Sequence, residues 1–340
     1  MKNYISLINE VITLYSAKKM DEGDYDTILS LNKMRYDIYK SDNKCLDVIK
    51  DFIKDLNKYS KYLNENNFFT DTYDEKEIYG LTIKMIDDVC NSDNDIPTAV
   101  FVGGQPGSGK SEIVNKTIKE FYEQDKKIVL LDLDIYRALY KNYFSLLVNS
   151  SNLYSNITNN AIGKLAEKLS EYVILKKYNF IFEGTMGKYP YTLELLKKSS
   201  EKYNVVVKIM AVCREESILS IFERYIESKK IINVGRLTTI DDHDVRYFNL
   251  LEVASIIENE GIEVEVYQRI NSSIDMIYKS SNKNKYKSVE HAIILARENS
   301  YNDCIVSFNN RIDNIFKEFK ELGEIDKYKD ELEKLKFMKK

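Results

Sequence analysis

The sequence predicts an α/β fold: a largely parallel sheet flanked by helices, preceded by an all-α N-terminal domain. Three observations lead there. Residues 1–90 repeat apolar side chains at helical spacing. After Pro97 the pattern changes to short apolar runs of strand length, and helical stretches separate those runs to about residue 285.

The N-terminal stripes are four. Ile5, Ile8, Ile12 and Tyr15 form the first, and Ile28, Leu31, Met34 and Ile38 the second. Leu46, Ile49, Ile53 and Leu56 form the third, and Ile78, Leu81, Met85 and Val89 the fourth. Asp24 and Ser41 are suited to cap the second and third helices. The polar stretches Asn64–Asn67 and Asn91–Asp95 read as breaks, so the helical domain is placed at 1–92.

Five strands are expected beyond it, at 98–102, 128–131, 180–182, 205–212 and 262–267. They define a domain over 93–285. A helical extension over 286–340 follows, and its charge-dense end from Asp326 reads as a solvated helix.

Composition excludes several classes of function. The chain has 340 residues, 44% of them hydrophobic and 31% charged, which suits a globular protein with a sizeable core. No apolar run reaches membrane-spanning length and the N-terminus lacks a signal peptide, so no membrane partner and a cytoplasmic location are expected. The four cysteines are scattered, and His243 and His291 are the only histidines, which argues against zinc and histidine-based chemistry. Residues 1–95 carry 13 basic and 19 acidic side chains, a balance of −6, against +2 for the remainder. Neither part has the concentrated basic surface of a nucleic-acid binder.

The strongest signal is Gly104-Gln105-Pro106-Gly107-Ser108-Gly109-Lys110-Ser111, a full G-x-x-x-x-G-K-[ST] match between an expected strand and an expected helix. Glycines let backbone N–H groups turn toward phosphate oxygens, and the helix N-terminus adds partial positive charge. Lys110 is expected at the β- and γ-phosphates and Ser111 on Mg²⁺, which makes the sheet P-loop NTPase-type with ATP or GTP as phosphoryl donor.

Asp132 and Asp134 end the next strand, at the edge where ligands bind in open α/β sheets. One would hold Mg²⁺ or its waters and the other would accept a proton from an attacking hydroxyl. Glu183-Gly184-Thr185 ends the third strand and offers a metal-water ligand or a substrate contact. Arg224 and Arg236 flank a stretch with Lys229, Lys230 and Gly235 that has the look of a lid bringing cations to a transferring phosphoryl group.

Taken together, residues 97–240 resemble the zeta-toxin family, P-loop kinases of bacterial toxin–antitoxin systems. The resemblance rests on Gly103 to Ser111, Asp132-Leu133-Asp134, Glu183-Gly184-Thr185, Glu223-Arg224-Tyr225 and Arg236, in the family's order. It implies phosphorylation of UDP-N-acetylglucosamine at the sugar 3′-hydroxyl. Asp134 would be the base, and Lys110, Arg224 and Arg236 would stabilise the phosphoryl group in flight. Asp132, Glu183 and Thr185 would lie on the substrate side. The His-Pro pair that often follows the family's catalytic aspartate is replaced by Arg137-Ala138-Leu139-Tyr140.

The resemblance also implies an antitoxin, either a separate chain or residues 1–90 fused in cis. Their acidity and helical pattern suit docking over a nucleotide site. Two other readings stay open on the residues: a P-loop kinase of another hydroxyl substrate (nucleoside, sugar or antibiotic), and a nucleotide-operated binding module. An acceptor-side base favours a kinase over a switch.

Overall fold

In a computed structural model of the chain, the residues described are 8, 12, 22–40, 75–90, 96–131, 133, 136, 154–186, 189–232, 235–270, 273–282 and 286–339. The element order is α1 (Glu22–Lys40), α2 (Glu75–Asp87), β1 (Thr98–Gly103), α3 (Lys110–Glu123), β2 (Val129–Leu131), α4 (Tyr154–Leu175), β3 (Phe180–Glu183) and α5 (Tyr189–Ser200). It continues through β4 (Asn204–Met210), α6 (Arg214–Ile232), α7 (Ile240–Asn259), β5 (Glu263–Ile270), β6 (Ser273–Lys279), α8 (Val289–Ile305), α9 (Phe308–Glu321) and α10 (Lys329–Phe337). No described helix is long and apolar enough to cross a membrane.

The six strands run β2-β3-β1-β4-β5-β6 across one sheet. β1, β4 and β5 are parallel, with Val100 opposite Val206 and Val207 opposite Val264. β6 returns antiparallel, pairing Tyr267 with Met276. The five expected strands are all present, and β6 is the addition. It lies at the sheet edge with most side chains part-exposed, so it lacks the apolar run that marks its neighbours.

The chain divides into two compact units. The first comprises Met1–Pro97, Asn115–Ile181 and Lys230–Arg236. Within it the second and fourth sequence stripes are α1 and α2, with Ile28, Leu31, Ile38, Ile78, Leu81 and Met85 buried. The first stripe contributes buried Ile8 and Ile12, and the third lies outside the described residues. Asn32 donates to the Met85 carbonyl at 3.1 Å and accepts from Arg35 at 2.9 Å, so the helix pair carries a buried polar tie. The Tyr36 hydroxyl accepts the Leu130 N–H at 2.6 Å, fastening α1 to β2.

The second unit comprises Thr98–Val114, Phe182–Lys229 and Leu237–Lys340. Its parallel strands β1 and β4 are buried along most of their length, which is why they read as continuous apolar runs. A second apolar centre lies between α6 and the C-terminal helices, where Phe222, Tyr225, Phe308, Ile312, Phe319 and Leu332 are buried. Tyr225 stacks on Phe319 at 5.3 Å and meets Tyr328 edge-on at 5.0 Å. The charged tail is therefore more than a solvated helix, because α10 buries Leu332 and Leu335 in this centre. Ion pairs reinforce it: Arg311 bridges Glu216 and Glu223 of α6, and Lys229 meets Glu324 at 2.7 Å.

Phe319→Ala removes a fully buried ring from this cluster. The expected cost is about 3–5 kcal/mol. It is read as a fall in the urea midpoint at unchanged slope. A loss below ~1 kcal/mol would mean that the C-terminal helices do not share a core with α6.

Candidate active site

The glycine-rich loop leaves the C-terminal end of β1 and opens α3; residues 98–114, which hold β1, the loop and the first turn of α3, fall in the second unit. Gly104, Gly107 and Gly109 have φ of 149°, 76° and 88°. At Gly107 the lack of a side chain is required twice over. Its φ is left-handed, and an added Cβ would overlap the Ser217 carbonyl oxygen. Glu112 N–H closes the first turn of α3 onto the Gly109 carbonyl at 3.0 Å.

The residues of the loop fit a phosphate chain. The Ser108 hydroxyl is fully buried and has no hydrogen-bond partner, an uncommon state for a buried polar atom. Lys110 Nζ donates to the carbonyls of Gly104 and Gln105 at 3.0 and 3.1 Å, so the ammonium stays over the loop. Ser111 is exposed in the first turn of α3, where its hydroxyl is available to a hydrated cation.

The loop rests on a polar chain that is buried at Gln105, Ser217 and His243 and part-exposed at Asp244 and Arg214. Gln105 Nε2 donates to the Val212 carbonyl at 3.0 Å and to Ser217 Oγ at 3.3 Å. Ser217 Oγ lies 2.7 Å from His243 Nε2, and His243 Nδ1 lies 3.0 Å from Asp244 Oδ1. Asp244 in turn accepts from Arg214 Nε and Nη2, both at 2.7 Å. A neutral imidazole protonated at Nδ1 satisfies every link, with the Ser217 proton directed to Nε2.

The array has the residue order of a nucleophilic triad and a different purpose. Ser217 and His243 are both wholly buried, and the serine's Oγ is enclosed by Gln105, the imidazole and helix carbonyls. No substrate reaches it. What it does is lock the β4–α6 junction beneath the loop. Sequence reading missed it because Ser217 and His243 stand 26 residues apart, with only the adjacent His243-Asp244 pair as a clue.

Burial pushes the His243 imidazole down to about 4, with the Asp244 bond opposing it in part. Burial alone would raise the Asp244 carboxyl, but bonds from Arg214 and His243 hold it below its ordinary value.

The third strand brings a predicted substrate-side segment to the same edge. Gly184 N–H donates to the Val102 carbonyl at 3.0 Å, and Met186, at φ 53°, fills the space that a Cβ on Gly103 would occupy. Glu183 and Thr185 are both half-buried there. Arg224 is exposed on α6, one turn beyond Ile221, whose side chain lies 3.0 Å from where a Gly107 Cβ would stand. Arg236 is half-buried and belongs to the first unit. Most of the proposed lid segment continues α6, to Ile232. Asp132 and Asp134 lie outside the described residues.

Comparison with known proteins adds the following. Residues 83–283 match the family model described as Zeta toxin. Toxin PezT of Streptococcus pneumoniae serotype 4 is 31% identical over 187 residues, 52% of this chain and 71% of PezT. Toxin zeta of Enterococcus hirae is 26% identical over 182 residues, 51% of this chain and 61% of that protein. A solved structure from a study of the S. pneumoniae PezAT chromosomal toxin–antitoxin system superposes with a TM-score of 0.60 at 23% identity. It spans 75% of this chain and 99% of its own, a shared fold.

Two outcomes follow from the geometry. Gly107→Ala should abolish nucleotide binding while the protein stays folded, as measured by calorimetric titration with ATP; wild-type affinity would mean the loop is not held against α6. The second concerns acid. The His243 value is lower folded than unfolded, so its contribution to stability is complete above about pH 6.5 and is lost as pH falls toward 4. The loss is on the order of 3 kcal/mol at ~1.4 kcal/mol per unit. Urea unfolding between pH 7 and 4 should show a shallower acid slope for His243→Gln than for the wild type. Equal slopes would contradict a buried, neutral His243.

Proposed function

The chain belongs to the zeta-toxin family, and from that premise we propose that it is a Mg²⁺-dependent kinase that transfers the γ-phosphoryl group of ATP or GTP to the sugar 3′-hydroxyl of UDP-N-acetylglucosamine. The observation that carries this reading is the meeting of two segments at one sheet edge. The phosphate loop leaves β1 there, and Glu183-Gly184-Thr185 is fastened to the end of that strand through the Gly184–Val102 bond. A donor cradle beside an acidic, part-exposed acceptor segment suits phosphoryl transfer between two bound substrates.

In this reading the sugar oxygen forms a bond to the γ-phosphorus as the bond to the β,γ-bridging oxygen breaks, and the nucleoside diphosphate leaves. The hydroxyl proton goes to the Asp134 carboxylate. Lys110 neutralises charge on the migrating group, and Arg224 and Arg236 supply further positive charge to it. Glu183 and Thr185 orient the UDP-sugar with Asp132. Mg²⁺ would be held at Ser111 and would offset charge on the phosphate oxygens. The relatives are named as toxins, and one structural match comes from a toxin–antitoxin system. An antitoxin partner is accordingly proposed here, as a separate chain or as residues 1–90.

The test is mass spectrometry of a bacterial extract incubated with the protein, Mg²⁺ and ATP or GTP. One sugar nucleotide should gain a single phosphate, and Lys110→Ala should abolish the change. Asp134→Asn should slow it by roughly 10²–10⁴ with nucleotide binding retained. Nucleotide hydrolysis with every acceptor unchanged would contradict a kinase and favour a nucleotide-operated switch.

A further inference from the structure

Arg269 is the penultimate residue of β5 and is absent from the sequence-derived site. Because β1, β4 and β5 are parallel, its position is at the same sheet edge as the phosphate loop. Its guanidinium reaches past the end of β4 and lies on the loop itself. Nη2 occupies the space that a Cβ on Gly109 would need, which is a second reason, besides φ of 88°, that residue 109 is glycine.

The guanidinium also meets Glu112 Oε1 at 2.9 Å, while Glu216 Oε1 is 4.0 Å away and accepts from Arg311 Nη2 at 3.4 Å. Among the described residues, Glu112 is the one hydrogen-bond acceptor that Arg269 meets, although a guanidinium has five N–H donors. Its side chain retains 26% exposure.

A structural ion pair between α3 and β5 has no need to reach over the loop glycine. The two cations of the loop also stand at different ends of it. Lys110 Nζ lies over its beginning, on the Gly104 and Gln105 carbonyls, and Arg269 over its end, at Gly109. Loops of this kind cradle the α- and β-phosphates with backbone N–H groups, and the lysine takes the β- and γ-phosphates. The phosphate left for Arg269 is the one next to the ribose.

We infer that Arg269 is a further nucleotide-contacting residue, which turns donors of its fork from Glu112 to the α-phosphate of the bound nucleotide. This rests on the phosphate-loop reading of residues 104–111.

Calorimetric titration with ATP and with ADP separates the two claims. An α-phosphate contact is common to both nucleotides, so Arg269→Ala should weaken both by a similar factor, about 10–100-fold. Lys110→Ala should weaken ATP more than ADP. Arg269→Lys keeps a point charge without the fork, so it should fall between the wild type and Arg269→Ala, and it carries the test if the alanine variant does not fold. Arg269→Ala combined with Glu112→Gln should remain weak. Recovery of wild-type affinity in that double variant would overturn the inference, reducing Arg269 to a neutraliser of Glu112. Unchanged affinities in Arg269→Ala and Arg269→Lys, with Lys110→Ala impaired, would overturn this inference alone. A wild-type protein that binds neither nucleotide would overturn the phosphate-loop reading and this inference together.

Discussion

The phosphate loop has to keep its backbone in a conformation that only glycines adopt, and the Gln105 amide is what holds it there. From one fully buried side chain it reaches the connection after β4 and the first turn of α6, through Val212 and Ser217. A loop that presents N–H groups to an anion gains nothing from its own secondary structure, so its shape is imposed by what lies beneath it. Here that support is a hydrogen-bonded chain of Ser217, His243, Asp244 and Arg214. Each buried polar atom in it depends on the next, which makes the chain rigid when complete and costly when any member is lost.

The charges around this support follow the same logic. Acidic side chains near a site for anions oppose the ligand unless they are neutralised. Glu112 stands in the first turn of α3 and meets Arg269; Glu216 and Glu223 on α6 meet Arg311; Asp244 meets Arg214. Three arginines thus pair with four carboxylates close to the loop or beneath it. Lys110 and the N-terminus of α3 add positive charge at the loop itself, where phosphate would bind. The C-terminal helices matter to the site for this reason, because α9 supplies Arg311 and packs against the helix whose first turn carries the loop.

Much of the fold was legible in the sequence, and for identifiable reasons. The strands of a parallel sheet are buried on both faces, so 98–102, 128–131 and 205–212 announce themselves as apolar runs. The loop was legible because its chemistry depends on contiguous residues. What escaped notice depends on residues distant in sequence. Ser217 and His243 meet only after α6 and α7 pack, and Arg269 reaches Glu112 across 157 positions. β6 was missed because an edge strand needs no apolar run, and the tail was read as solvated because two leucines are a faint stripe among many charges. Glu183-Gly184-Thr185 at a strand end and the basic stretch from Arg224 to Arg236 were open to several readings on the residues alone, and the family resemblance narrowed them to single roles.

The account joins a supported phosphate cradle to an acceptor segment at one edge of a sheet, and its central claim is that phosphate passes between them onto a sugar hydroxyl. Phosphorus NMR of purified protein with Mg²⁺, ATP and UDP-N-acetylglucosamine tests this most directly. The account predicts a new phosphomonoester resonance coupled to the proton on the sugar's third carbon, growing as the γ-phosphate signal of ATP declines. Inorganic phosphate accumulating alone, with the UDP-sugar resonances unchanged, would contradict it.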